Sequence, residues 1–124
     1  MKPAILTLLA GYAIGAVIAI SGGLATTGDA ITNGTYLNAP GPLILIQAAA
    51  AVAALRGSRA GTGILALAMS LSLAASAFDG DVGHSGLSTA EIAFQLIEVA
   101  AIAAVWILSI GRLVHRRAPM PASA

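Results

Sequence analysis

The chain has 124 residues; 58% are hydrophobic, 9% are charged, none is cysteine, and the formal net charge is +1. A water-soluble domain keeps about a quarter of its residues charged, because a small body is mostly surface, and a disordered chain is more polar still; both classes are excluded, leaving an integral membrane protein. The missing cysteines exclude disulfides, thiolate catalysis and cysteine-based metal centres, and the near-neutral charge leaves no electrostatic footprint for nucleic acid.

The first apolar stretch, 3–25, is long enough to span a bilayer, which takes about 20 apolar residues. Gly11 and Gly15, extended by Ala19 and Gly22 or Gly23, form a small-residue ridge on it that lets another helix approach closely. Packing within the chain is favoured over dimerisation. Met1-Lys2, the apolar run and Gly23-Leu24-Ala25 also fit a signal peptide cleaved after Ala25. The run is longer than a usual signal core, which favours an uncleaved helix.

A polar loop, 26–39, follows. Its Asn33-Gly34-Thr35 matches a glycosylation triplet but reads as a turn. The second span, 40–56, has a short apolar core, 42–55, and opens on Gly41-Pro42, where a proline suits the first helical turn. Arg56-Gly57-Ser58-Arg59 is a tight polar connection, so the third span, 61–78, should run antiparallel to the second. A re-entrant hairpin of these two stretches would expose backbone groups that lipid penalises, so two spans are expected.

The second loop, 79–88, opens on Asp79-Gly80-Asp81 and carries His84. It departs from a calcium loop at Gly83, His84 and Ala90, so a solvated turn is expected and no metal site is assigned. Ser88 and Glu91 form a capping box ahead of the fourth span, 89–113, with Leu87 and Ile92 placed as a hydrophobic staple. The residues 114–124 form a short tail. Tyr36 and Phe78 fall near one interface and Trp106 toward the other, as aromatic anchors do.

The charges set the orientation. Lys2, Arg56, Arg59, Arg112, Arg116 and Arg117 fall on one side of this arrangement, and Asp29, Asp79, Asp81 and Glu91 on the other. The positive-inside rule then places both termini in the cytoplasm and both loops outside. Arg112, Arg116 and Arg117 form a basic cluster suited to anionic headgroups. The expected architecture is one all-α domain over 1–124: a four-helix transmembrane bundle. Abundant alanine, and arginine in excess of lysine, fit a high-GC bacterial genome, and the expected location is a bacterial plasma (inner) membrane.

Glu98 is the residue that demands an account. It lies nine residues into the fourth span, about 14 Å along the axis, near the middle of a hydrocarbon core about 30 Å thick. An ionisable group at that depth is costly and is by default a functional candidate. It is either a proton- or cation-binding carboxyl or a hydrogen-bonding group between helices. Gln95 shares its face, as does Glu91, which the capping box already explains. Gln47 lies about 8 Å inside the second helix, Gln95 about 9 Å inside the fourth and Ser72 about 10 Å below Phe78. Gln47, Ser72, Ser76, Gln95 and Glu98 are therefore expected to meet in the outer half, as a pocket open to the outside or as a closed hydrogen-bonded cluster.

Small multidrug transporters have this length and span number, but carry their key glutamate in a first helix that here has no acid. Ring subunits of rotary ATPases carry a mid-helix carboxyl, but their glycine ridges and polar loop signature are missing. No family is assigned. No nucleophile–base pair or phosphate loop nominates a reaction, and no cofactor is implied. Two functions compete. The leading one is a non-enzymatic accessory or assembly component, bound to lipid and to a larger membrane protein or to further copies of itself. The alternative is a small proton- or cation-linked transporter or channel component using Glu98.

Overall fold

A computed structural model describes residues 1–23, 26–34, 39–78, 82–83 and 85–115. Among the described residues all regular structure is helical: α1 (Lys2–Ser21), α2 (Thr27–Thr32), α3 (Gly41–Leu55), α4 (Arg59–Phe78) and α5 (Thr89–His115). Helices α1, α4 and α5 are long and apolar enough to cross a membrane. Helix α3 has 15 residues and rises about 22 Å, short of a hydrocarbon core of about 30 Å. Its limits are set by Pro42 in its first turn and by the glycine turn that ends it.

That turn is built from local chemistry. Gly57 takes φ 90°, a left-handed conformation that a residue with a Cβ adopts only under strain. Its N–H bonds Ala54 O at 3.0 Å while Ser58 N–H bonds Ala53 O at 2.9 Å, closing α3 in a Schellman motif. The Ser58 hydroxyl then accepts from Gly61 N–H at 3.0 Å and starts α4. The reversal makes α3 and α4 antiparallel neighbours. At Gly61 they approach so closely that an added Cβ would lie 2.5 Å from Ala53 Cβ and 3.0 Å from Ala54 N.

Packing continues from α4 to α5, from α5 to α1 and from α1 back to α3. The core joins Ile5, Leu8 and Tyr12 of α1, Ala50, Ala51 and Ala54 of α3, Leu65, Ala68 and Met69 of α4, and Ala101, Ile102 and Val105 of α5. The alanines of α3 let its neighbours come near, which is how apolar helices gain contact without a hydrophobic drive from water. Large apolar side chains such as Val17, Leu45, Leu67, Leu71 and Ile97 point outward. An aqueous fold would bury these; lipid accepts them.

The helix ends sort by charge. Ser109 Oγ lies 3.8 Å from Met1 Sδ, Arg112 Nη1 donates to Ala54 O at 3.2 Å, and Arg59 Nη2 donates to Leu113 O at 3.2 Å. The start of α1, the α3–α4 turn and the end of α5 therefore share one end, with Lys2, Arg56, Arg59 and Arg112. These two guanidinium contacts sit at the carbonyl ends of α3 and α5, where cations are favoured. Arg116, Arg117, Asp79, Asp81 and the Asp29 side chain lie outside the described residues.

At the opposite end the capping box is formed: Ser88 N–H donates to Glu91 Oε1 at 2.8 Å and Glu91 N–H to Ser88 Oγ at 3.2 Å. A Cβ added at Gly22 would lie 3.9 Å from Glu91 Oε2, so the end of α1 meets the start of α5 and the two run antiparallel. Ser88→Ala removes half of the box and is expected to cost about 1 kcal/mol, read as a lower midpoint in detergent unfolding. An unchanged midpoint would show that the box adds nothing to the fold.

Candidate functional site

Depth along each helix brings polar side chains to one level in the interior. Tyr12 is ten residues into α1, about 15 Å from its start. Glu98 is nine residues into antiparallel α5, about 14 Å from the opposite end. Both therefore lie near the midplane. Gln47 of α3 and Ser72 of α4 join them from the other pair of helices.

The connections are specific. Gln47 Nε2 donates to Ser72 Oγ at 3.2 Å, joining α3 to α4. The Tyr12 hydroxyl lies beside the Gln47 amide and within electrostatic reach of the Glu98 carboxyl. A Cβ added at Gly11 would lie 3.7 Å from Glu98 Cγ, so this glycine lets α1 rest on the glutamate stem. Gly15, one turn further along, is also buried. Gly15 and Ala19 of the small-residue ridge thus face the chain's own interior, whereas Gly22 and Gly23 are exposed.

Three side-chain atoms in this neighbourhood are buried without a hydrogen-bond partner: Tyr12 Oη, Gln47 Oε1 and Glu98 Oε2. Their residues retain only 4%, 1% and 8% of their exposure. A buried polar atom left unpaired costs about 1–3 kcal/mol, and lipid offers no water to relieve it. All three are oxygens, they come from three helices, and one belongs to an acid.

The remaining expected residues sit around this centre. Gln95 is buried, and its Oε1 accepts from Gly83 N–H at 2.9 Å, fastening the preceding loop over α5. Ser76 Oγ donates to Ser72 O at 2.8 Å within its own helix, so its hydroxyl is spent on local backbone. Gln47, Gln95 and Glu98 are all enclosed. Tyr12 joins this neighbourhood, Ser72 and Ser76 are half-buried, and Ser76 is turned to its own helix. Trp106 is also more than an anchor: its Nε1 donates to Ser70 Oγ at 2.7 Å, joining α5 to α4. Among the described residues no group of three or more His, Cys, Asp or Glu could hold a metal ion. Asp79, Asp81 and His84, as well as Tyr36, lie outside the described residues.

Sequence reasoning passed over Tyr12, which looks like one more bulky residue on an apolar helix. The available signal was depth: its hydroxyl is the only ionisable group in the interior of α1, at the level of Glu98. Comparison with protein families, curated proteins and solved structures finds no match to this chain.

Proposed function

We propose that the chain is a four-helix transmembrane bundle of a bacterial plasma membrane, with both termini cytoplasmic, that acts as a small proton- or cation-linked transporter or channel component. One observation carries the functional part: the Glu98 carboxyl is buried in the interior of α5, at the level of Tyr12, with its Oε2 left without a partner. A cluster serving only to hold helices together gains most when its atoms are paired. This one leaves its acid oxygen free. An acid at such a depth marks ion or proton handling by default. The reading is non-enzymatic and uses no cofactor.

Orientation rests on the shared end of Lys2, Arg56, Arg59 and Arg112. The natural chain has no cysteine, which makes it directly testable. Thr27→Cys should react in intact cells with a membrane-impermeant thiol reagent, and His115→Cys only after permeabilisation. The reverse pattern would invert the topology.

A second reading has its own support. The brevity of α3 and the exposed Leu45, Ile46 and Val52 on it suit a helix that leans on a neighbour. That neighbour would be a larger membrane protein or a second copy, making the chain an accessory or assembly component. Purification from native membranes in mild detergent, with mass spectrometry, separates the two. A stoichiometric foreign partner favours the accessory role. A monomer favours an autonomous ion pathway.

A further inference from the structure

Glu98 sits on α5, which packs against α1 and α4. The charged and titratable groups on these three helices are few. Helix α5 itself carries Glu91 in the capping box and Arg112 and His115 in its last turn. Helix α1 offers Tyr12 in its interior and Lys2 at its start, and α4 offers Arg59 at its start. Among the described residues, no lysine, arginine or histidine stands at the depth of Glu98. A carboxylate there would be a buried charge without a counterion, which is expensive in a low-dielectric interior. One proton removes that charge and asks for no further ligand.

A metal cation asks for much more. Hard cations replace their water shell with several oxygen ligands, about six in calcium and magnesium sites. The interior hydroxyls of α4 and α5 are already committed. Thr62, Ser70, Ser76 and Ser109 each donate to a carbonyl one turn back in the chain, at 2.7–2.9 Å. Ser72 Oγ accepts from Gln47 Nε2, and the Tyr12 phenol is turned to the same Gln47 side chain. The α1 backbone at Gly11 rests on the Glu98 stem, which leaves the carboxyl in a packed seam between α1 and α5. We infer that the ion exchanged at Glu98 is the proton itself, taken up and released by the carboxyl without a metal cation. The inference rests on the ion-linked reading above and names its ion. Uptake converts the carboxylate to the neutral acid, release restores the carboxylate, and no other bond changes.

The sequence supplies a clean probe, because the chain has two glutamates, Glu91 and Glu98. Glu91→Gln keeps a residue type that the capping box accepts, so a heavy-carbon label on the glutamate carboxyl then reports Glu98 alone by nuclear magnetic resonance. The unsubstituted chain, labelled likewise, gives two resonances and shows whether Glu91→Gln has moved the Glu98 signal. In the full chain in lipid nanodiscs, the Glu98 resonance should move once as the medium is titrated. Its midpoint should be the same in choline, sodium, lithium and potassium chloride at equal ionic strength. A metal cation competing for the carboxylate would lower that midpoint by about one pH unit for each tenfold rise in its concentration. Such a shift would overturn the proton assignment and leave the ion-linked reading standing. A resonance that stays fixed across the whole range in which the chain is folded would overturn both, since a carboxyl that never exchanges its proton handles no ion.

Discussion

A Glu98→Leu chain is expected to be more stable than its parent, by about 1–3 kcal/mol, while losing the ion movement proposed for it. The reason lies in the unpaired Glu98 Oε2. Replacing one partner of a satisfied buried pair leaves the other unsatisfied and destabilises the protein. Here the glutamate has no partner at that atom to strand, so removing it relieves a cost. Leucine also matches the aliphatic stem that packs at Gly11. Active centres hold such locally unfavourable groups because function requires them, and stabilising substitutions there tend to abolish activity. Denaturant titration in detergent, followed by the fluorescence of the single tryptophan, measures the change. A loss of stability of similar size would assign Glu98 to helix packing, and the ion-linked reading would fail with it.

Gly61→Leu should have the largest structural effect. The backbones of α3 and α4 meet at this position, where even an added Cβ would lie 2.5 Å from Ala53 Cβ and 3.2 Å from Ala50 O. Neither neighbour is the flexible end of a long side chain. The helices must separate, and overpacking of this kind costs about 1–3 kcal/mol or more. Separation also pulls Gln47 from Ser72, since that bond crosses the same interface. Little full-length protein should accumulate in the membrane, and what remains should unfold at a lower midpoint. Gly63→Ala two residues away meets open space and should accumulate normally. Equal accumulation of Gly61→Leu and Gly63→Ala would show that the close approach does not hold α3 on α4.

What was legible in the sequence was whatever depended on residue type and linear spacing. The capping box at Ser88 and Glu91, the proline at the start of α3 and the Gly57 turn are each encoded within a few residues, and each forms as their chemistry requires. The four described cations at one end follow from the alternation of span direction. Glu98 stood out because an acid in an apolar run has few explanations. Its surroundings were less accessible, because depth along a helix gives level but not rotation. Tyr12 meets Gln47 through the rotational phase of α1 against α3, which side-chain packing across the interface sets. Ser76 shares the general depth but satisfies its hydroxyl on Ser72 O. Gln95 is held by Gly83, whose position depends on the path of a loop that no periodicity describes.

The ion-handling role proposed for Glu98 is open to direct test. The most direct measurement is sodium and proton uptake into proteoliposomes containing the purified chain alone, beside liposomes containing Glu98→Gln at equal density. Uptake of at least one of these ions is expected with the parent chain, and background uptake with Glu98→Gln. Equal uptake by the two chains would contradict it, and so would background uptake by both.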